Sequence, residues 1–489
     1  MEWLSNWSDN KIVILITLVV IVYLFFYIRD YTQRSHTILR NYPVIGRFRY
    51  MFEQLGEYFR QYFFAHDREE LPFNRATRAW VYRTAKGLGG LLGFGSTNDL
   101  GQPGSIIFVS ASYPLLQEEF TQAEPVVIGP QCKYPFRAKS IFNISGMSYG
   151  ALSAPAVRAL SKGAAKAGIW MNTGEGGLSP YHLEGGGDLI FQIGTAKYGV
   201  RDDEGNLSDE KLRDVAKHVK AFEIKLSQGA KPGRGGVLPA GKVTEEISSI
   251  RGIPVGQVSS SPNRHKEIRN TEELLDMINH VRDVTGRPVG IKTVIGSEKF
   301  PEELSAAILN RGIEYAPDFI TVDGGEGGTG AAPQLLSDHV GLPITESLPI
   351  LINTLIANKL KERIKVIASG KLVQSAKVAW ALCIGADFVV SARGYMFALG
   401  CVQSLQCHMD TCPTGITTHN KKRHRGLVVE DKAERVAQYT HWVNYEVDAL
   451  AHSCGLANAR GFRREHIRIV QTPGISKPLD SIHPYPANF

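Results

Sequence analysis

Three cysteines stand close together late in the chain: Cys401, Cys407 and Cys412, spaced C-x5-C-x4-C, with Pro413 directly after the last. Thiolates gathered in one loop suit a metal or an iron–sulfur centre. Zinc sites favour closer cysteine pairs, which are absent here. His408 could nevertheless complete a zinc set, so spacing leaves both metals open. Cys383 falls in an apolar helical pattern and reads as core, while Cys132 and Cys454 read as structural thiols. Six cysteines in 489 residues are too few for a disulfide scaffold.

A second chemical signal lies in glycine-rich or small-residue tripeptides that follow apolar runs. Ser369-Gly370-Lys371 and Ala392-Arg393-Gly394 offer backbone N–H groups, a hydroxyl and cationic side chains, as a phosphate site requires. Either tripeptide alone is an ordinary turn; together, at corresponding places, they point to a phosphate. Lys292, in Gly290-Ile291-Lys292, ends an otherwise apolar run and needs an anionic partner, which a charged cofactor would supply.

These residues must be carried by regular elements. From about Ser140 onward, β-like runs alternate with helix-like segments. The candidate strands are 140–145, 168–172, 222–226, 256–259, 289–294, 319–322, 365–368 and 388–391. The intervening helical patterns include 154–167, 272–285, 301–310, 348–361 and 373–384. Such alternation predicts parallel strands, and eight units of this size predict a (β/α)8 TIM barrel of the α/β class. A doubly wound sheet would offer one glycine-rich turn at a switch point. Here small-residue loops follow nearly every strand: Ser145-Gly146-Met147-Ser148, Asn172 to Gly177, Gln228 to Lys231, Asp323-Gly324-Gly325 through Gly330, and the two tripeptides above. A barrel brings all of them to one face. On this count Lys292 ends the fifth strand, and the tripeptides follow the seventh and eighth, where barrels often bind phosphate.

Composition narrows the class. With 43% apolar and 21% charged residues the chain is neither mainly disordered nor a polytopic transporter. The net charge of +7 is spread along the chain and is no nucleic-acid signal. Glycine is in excess, at 49 residues. Residues 12–28 form an apolar run broken only by Thr17 and ending in bulky aromatics, about the length of a bilayer span. It lacks the basic start and small-residue cleavage site of a signal peptide. Glu2, Asp9 and Lys11 precede it, whereas Arg29, Arg34, Arg40, Arg47 and Arg49 follow. The expectation is a single-pass anchor in the cell membrane with the large C-terminal part in the cytoplasm. Residues 47–64 mix aromatics with arginines, and read either as an amphipathic helix on that membrane face or as a helix packed on the domain. The expected organisation is an anchor over 1–30, a membrane-proximal region over 31–135, the barrel with its cysteine loop over 136–460, and an extension over 461–489.

Taken in order, Ser145-Gly146-Met147-Ser148-Tyr149-Gly150-Ala151-Leu152-Ser153, Asn172-Thr173-Gly174-Glu175-Gly176-Gly177, Gln228-Gly229-Ala230-Lys231-Pro232-Gly233, Gly327 to Pro333, and Gly400-Cys401 through Cys412-Pro413-Thr414-Gly415 resemble the FMN-binding synthase domain of the glutamate synthase family. The likeness covers roughly residues 140–455. It implies a barrel holding FMN, a 3Fe–4S cluster on Cys401, Cys407 and Cys412, and an oxidoreductase acting on CH-NH2 donors. Electrons would pass through the cluster to FMN and leave as a hydride to a 2-imino acid. It further implies that Lys231, Glu175 and Arg251 form the catalytic set. Lys231 would pair with a carboxylate, and Glu175 would hold ammonium or move a proton. The implied cofactor-binding positions are Gly146, Met147, Ser148, Asn172, Gln228, Lys292, Asp323, Gly324, Gly325, Ser369, Gly370, Lys371, Arg393 and Gly394. The partners it implies are an amino acid or 2-oxo acid substrate and a ferredoxin or membrane electron carrier; a homo-oligomer is compatible with it.

The chain departs from the family pattern in two ways. It reads Lys231-Pro232-Gly233-Arg234-Gly235-Gly236-Val237 where glutamate synthases carry an acidic residue and a final amide. Val237 cannot supply the amide's hydrogen bond to an oxo acid, which changes substrate discrimination. Arg234, together with Arg264 in Ser261-Pro262-Asn263-Arg264-His265, adds positive charge near the expected mouth or faces solvent. No glutaminase nucleophile follows the initiator, since residue 2 is Glu2, and no C-terminal β-helix or dinucleotide-binding fold is evident. Two other readings stand beside this one: an FMN-dependent 2-hydroxy acid oxidase, with His182 or His265 as its base, and a non-catalytic electron-transfer subunit.

Overall fold

The computed structural model describes residues 2–91 and 93–487, with side chains from Lys11 onward, so Glu2 and Asp9 lie outside the described side chains. The chain divides into two compact units, Met1–Arg78 and Ala79–Phe489.

The larger unit is built on eight parallel strands closed into a barrel: Phe142–Ile144, Met171–Asn172, Leu189–Ile193, Ala221–Lys225, Val289–Thr293, Phe319–Asp323, Lys365–Ser369 and Phe388–Ser391, the last pairing with the first. Nearly every strand residue is buried, as expected where helices cover the outside and side chains fill the inside. The helices begin and end where local chemistry directs. Ala154–Ala167 starts at Ser153, whose hydroxyl accepts from Ala156 N, and stops at left-handed Gly168. Thr271–Thr285 is bounded in the same way by Asn270 and Gly286.

The barrel and its eight strands agree with expectation, but one strand differs. Residues 256–259 are not in the barrel: Ser259–Ser260 pairs with Val237–Leu238 in a short antiparallel ribbon. The third barrel strand is instead Leu189–Ile193, an apolar run following three glycines. The exchange leaves Lys292 on the fifth strand, and 369–371 and 392–394 after the seventh and eighth. It also turns residues 226–270 into one long connection after the fourth strand, carrying Lys231, the ribbon and the helix Glu245–Arg251.

The N-terminal end of the barrel is closed. A hairpin of Val126–Ile128 and Phe136–Ala138 plugs it, with Ile128 and Phe136 joining Trp170, Phe319 and Phe388 in one apolar layer. The ring centroids of Phe136 and Trp170 lie 5.8 Å apart, and those of Trp170 and Phe388 4.9 Å. A ligand therefore has only the opposite end to enter. Near the C-terminus, Ile467–Thr472 pairs with both Ile106–Phe108 and Ile475–Pro478.

The smaller unit begins with the helix Glu2–Thr32. Its segment Lys11–Thr32 is long and apolar enough to cross a membrane by length and composition, and its apolar side chains are exposed. At 1.5 Å per residue it spans about 33 Å. The next long helix, Gly46–Phe59, continues as a single π-turn over Arg60–Phe64. Its start is pinned to the first helix, because Asp30 accepts from both Arg47 and Val44 N, and Arg47 lies 4.4 Å over the Phe26 ring. Phe48, Phe52, Phe59 and Phe63 along this helix are exposed.

Candidate active site

Sequence reasoning passed over a charged residue deep in the barrel. Glu223, on the fourth strand, is buried. Its carboxylate accepts from Asn172 Nδ2 (2.8 Å), Gln192 Nε2 (2.6 Å) and Thr321 Oγ1 (2.6 Å). Glu223, Asn172 and Thr321, with Lys292 and Ser145, line a small cavity inside the strands. Three donors compensate the buried charge and fix the amides of Asn172 and Gln192. The signal was available: Glu223 interrupts Ala221-Phe222-Glu223-Ile224-Lys225 as Lys292 interrupts its own strand.

Above this layer lie the loop ends. Gly146 follows the first strand, and a Cβ there would stand 3.1 Å from both Asn172 Oδ1 and Gln192 Nε2. Asn172 Oδ1 also accepts from Gly174 N (2.9 Å), while Asn172 O accepts from Met147 N (3.3 Å). Ser148 joins this interlock, since a Cβ on Gly174 would strike its amide. Across the mouth, Asp323 organises three loops: its carboxylate accepts from Ser369 Oγ (2.7 Å) and Gly229 N (2.9 Å), and Lys292 Nζ lies 3.6 Å away. Gly324 N donates to Ser369 O (2.8 Å). Gly370, at φ +126°, faces it so closely that a Cβ would lie 2.9 Å from Gly324 N. Gly325 packs against Gly341, and Lys371 follows at φ +49°. Residues 323–325 and 369–371 thus form one backbone-lined floor with Lys292 beneath.

The eighth-strand loop is built differently from expectation. Arg393 turns sideways, donating to Thr329 O (2.5 Å) and reaching Cys407 Sγ at 3.8 Å. Gly394 is needed for packing, because a Cβ would collide with the Tyr439 hydroxyl. Arg393 joins the floor to the cysteine loop instead of lining the floor.

The three expected catalytic residues are brought together although they come from two loops. Glu175 pairs with Lys225 Nζ at 2.9 Å. Lys225, at the end of the fourth strand, is a further residue the sequence reading missed; it also donates to the Gln228 side-chain oxygen. Burial alone would raise the Glu175 carboxyl. Attraction by Lys225 and Lys231, the Lys225 hydrogen bond and Arg251 outweigh it and hold the group below its ordinary value. Lys231 is 4% exposed, and burial pushes its ammonium down against the pull of Glu175. Arg251 is also buried; its Nη2 donates to Tyr149 O (3.2 Å) and its plane lies 5.2 Å over the Tyr198 ring, but Nε has no protein partner. A Cβ on Gly236 would stand 2.6 Å from Glu175 Oε1, so glycine there admits the carboxylate. Three buried cations thus face one carboxylate, leaving a positive surplus that favours an anionic ligand.

The departures from the family pattern are exposed. Val237 is 43% exposed on the ribbon, and Arg234 is exposed. Arg264 is committed to its own loop, donating to the carbonyls of His265 (2.9 Å), Lys266 (3.0 Å) and Ile268 (3.3 Å). His182 is fully buried with both ring nitrogens engaged: Nδ1 lies 2.8 Å from Ser179 Oγ, and Nε2 donates to Met147 O (3.2 Å). Burial lowers its pKa to about 4. His265 Nε2 donates to Lys225 O (3.0 Å), which makes that ring a brace for the Lys225 backbone.

Cys401 and Cys412 are buried and Cys407 is half-buried, all as free thiols. Among the described residues no group of three or more His, Cys, Asp or Glu is close enough to hold a single metal ion. Donors nevertheless face each sulfur: Gln403 N at 3.5 Å from Cys401, Arg393 at 3.8 Å from Cys407, and Thr414 Oγ1 at 3.4 Å from Cys412. Lys242, which sequence reasoning also missed, is buried and donates to Cys407 O (2.8 Å) and Thr417 O (2.5 Å). Cys132 is buried against Asp318, and burial raises its thiol to about 12, in keeping with a structural role.

Comparison with known proteins bears on this arrangement. A family model described as a conserved region in glutamate synthase matches residues 105–457. A glutamate synthase large subunit-like protein of Bacillus subtilis, YerD, is 41% identical over 509 aligned positions, covering 96% of each chain. An archaeal-type glutamate synthase (NADPH) of Thermotoga neapolitana is 34% identical over 66% of this chain and 61% of its own. The large chain of glutamate synthase (NADPH) of Bacillus subtilis is 31% identical over 68% of this chain, which spans 20% of that protein. Among solved structures, an oxidised active mutant of (S)-mandelate dehydrogenase superposes with a TM-score of 0.49 at 14% identity, over 80% of this chain and 98% of that one.

Proposed function

Because this chain belongs to the glutamate synthase family, we propose that it is an FMN and iron–sulfur oxidoreductase acting on CH-NH2 donors, moving a hydride between FMN and an amino acid/2-oxo (imino) acid pair. The observation that carries this reading is the meeting of Glu175, Lys225, Lys231 and Arg251 beside the glycine-lined floor.

The residues present fit a flavin mononucleotide. Gly146 and Gly370 let the loop ends approach one another closely at the mouth, Lys292 and Lys371 supply positive charge, and Asn172 and Gln192 are held in fixed orientation. The cysteines fit a cluster better than a single ion: several irons sit between thiolates more widely spaced than one ion allows, and each sulfur here has its own N–H or O–H donor. Bound there, the two groups would supply single-electron entry and two-electron exchange with the imino carbon.

The chain's own residues do the rest. Lys231 and the unpartnered Arg251 Nε bind the substrate carboxylate. Glu175, kept ionised by Lys225, holds the ammonium or imino nitrogen and takes or returns its proton. The ribbon and the helix Glu245–Arg251 lie over the mouth as part of one connection and limit water at the reacting atoms. The segment Lys11–Thr32 tethers this unit to a membrane, with the arginines after it favouring a cytoplasmic barrel. Electrons come from a ferredoxin or a membrane carrier.

The test is the purified full chain: a flavin absorbance spectrum, an iron–sulfur EPR signal, and anaerobic flavin reduction and reoxidation against a panel of amino and 2-oxo acids. Protein containing zinc and no flavin would refute the reading. Flavin-loaded protein indifferent to every amino and 2-oxo acid would refute the substrate class.

A further inference from the structure

One motif has no part in the proposed chemistry: the run of aromatics and arginines from Arg47 to Phe64. It folds as the helix Gly46–Phe59 with the π-turn Arg60–Phe64. At 3.6 residues per turn, Phe48, Phe52, Leu55, Phe59, Tyr62 and Phe63 recur every three or four positions and share one face. The rings of Phe59 and Phe63 lie 5.5 Å apart, and the π-turn brings Phe64 alongside, 6.4 Å from Phe59. Arg49, Glu53, Glu57 and Arg60 recur on the opposite face, where Arg49 pairs with Glu53 at 3.5 Å. The six residues of the apolar face are each 40–74% exposed, although a face of this kind is ordinarily covered.

The start of this helix is fixed to the end of the apolar span. Asp30, two residues past the apolar run 12–28, is buried and accepts from Arg47 Nε (2.7 Å) and Val44 N (3.0 Å). Val44 holds φ +65°, which a β-branched residue adopts only where its surroundings impose it. Gly46 packs on the connecting helix Thr37–Asn41, and a Cβ there would stand 3.1 Å from Ile38 O. The rings of His36 and Tyr50 meet across the same joint at 5.2 Å. The helix therefore begins level with the C-terminal end of the span. Arg29, Arg34, Arg40 and Arg49, all exposed, flank that joint.

We infer that the aromatic face of the helix over 46–64 lies in the interface of a lipid bilayer, between headgroups and upper acyl chains, with anionic lipid preferred. The inference rests on the reading of Lys11–Thr32 as a tether and adds a second membrane contact to it. Three observations select lipid as the occupant. The helix start is held at the end of the span, where headgroups begin. Its apolar face is built mainly of phenylalanine and tyrosine, whose rings suit that boundary. From Arg29 to Arg49, five arginines stand against the single acid Asp30, a balance that attracts anionic headgroups. Arg49, Glu53, Glu57 and Arg60 on the opposite face prevent the helix from crossing the hydrocarbon, so it lies along the surface.

The experiment places the full chain in vesicles of phosphatidylcholine with about a quarter phosphatidylglycerol. Each preparation carries a trace of photoreactive phosphatidylcholine, with its diazirine either beside the glycerol or at the acyl methyl end, and labelled peptides are mapped by mass spectrometry. Peptides from 46–64 are expected to take the shallow probe at least about fivefold over the deep one, while peptides from 12–28 take both. The double variant Phe52→Glu, Phe59→Glu is expected to lower labelling of 46–64 about fivefold or more and to leave 12–28 unchanged. Gln54→Glu with Gln61→Glu adds the same charge to the other face and is expected to change neither. Phe52→Ser with Phe59→Ser repeats the first test without added charge, and an unchanged melting temperature shows that each variant is folded. Labelling of 46–64 that is equal in the parent and both phenylalanine variants overturns the inference, as does equal capture by the deep and shallow probes. A detergent-solubilised dimer that the phenylalanine variants split, with 46–64 unlabelled in vesicles, also overturns it, in favour of a second copy on this face. Label in 12–28 without label in 46–64 refutes only the surface helix, whereas absence of label from both refutes the tether as well.

Discussion

Lys225→Met tests the electrostatic core of the site. Lys225 Nζ lies 2.9 Å from Glu175 Oε1, with side chains 9% and 21% exposed. Two unit charges at that distance attract by about 6 kcal/mol at an effective dielectric near 20. The desolvation of both groups offsets part of this, and breaking one partner of such a buried pair typically costs ~3–5 kcal/mol. With Glu175 partly open to the mouth, about 3 kcal/mol is expected at neutral pH. The pH dependence carries the sharper signature. In the parent the Glu175 carboxyl lies below its ordinary value, so its contribution to stability is present above that ordinary value and is lost only on acidification through the lower, folded one. Without Lys225 only Lys231 and Arg251 remain to oppose burial, so the folded value rises. The carboxylate is then a burden that grows as pH climbs through the acid range to neutrality. Chemical denaturation followed by flavin fluorescence at pH 5 and pH 8 should show the deficit of the variant widening at pH 8. Glu175→Gln in the Lys225→Met background should recover about 2 kcal/mol of the deficit. A deficit independent of pH, together with a double-mutant coupling under about 0.5 kcal/mol, would show that the pair does not set the charge of Glu175.

Three other outcomes are expected. Gly236→Ala places a Cβ 2.6 Å from Glu175 Oε1 and displaces the carboxylate; flavin content should hold while kcat/KM falls about 10–100-fold in steady-state assays. Glu223→Leu leaves Asn172 Nδ2, Gln192 Nε2 and Thr321 Oγ1 without their acceptor inside the barrel; thermal denaturation should report a loss of about 3–5 kcal/mol, with Glu223→Gln milder. Cys407→Ser should lower iron content and abolish the cluster EPR signal while flavin binding persists, because the floor at 323–325 and 369–371 shares no residue with the cysteine loop; loss of flavin to the same extent as iron would argue against two separable sites.

Much of the fold was legible because the signals are local. Ser153 and Gly168 bracket one helix, Asn270 and Gly286 another, and both bounds are visible in the sequence. The strand mistaken for part of the barrel shows where local reading runs out. Residues 256–259 and 189–193 are both short runs beside glycine, and only closure of the barrel decides which pairs with Ala221–Lys225. The candidate site divides in the same way. Glu175 and Lys231 stood in motifs and Arg251 was reached only through the family resemblance, whereas Lys225 and Glu223 lay in a run that looked like plain strand and Lys242 carried no motif. Their roles come from partners far off in sequence: Glu175 for Lys225, Thr321 for Glu223, and Cys407 and Thr417 for Lys242.

The sequence by itself determined the class of chemistry: the cysteine spacing, the ordered glycine motifs, the alternation of strand and helix, and the apolar span near the start are all properties of neighbours along the chain. Tertiary structure decided which charges meet. Glu175 and Arg251 are separated by two barrel strands and a long connection, and Lys225 is a strand residue like any other until the closed barrel turns its ammonium toward Glu175. Electrostatic energy falls with distance through space and is blind to distance along the chain. The ionisation of Glu175 and the surplus of positive charge around it are therefore set by folding alone.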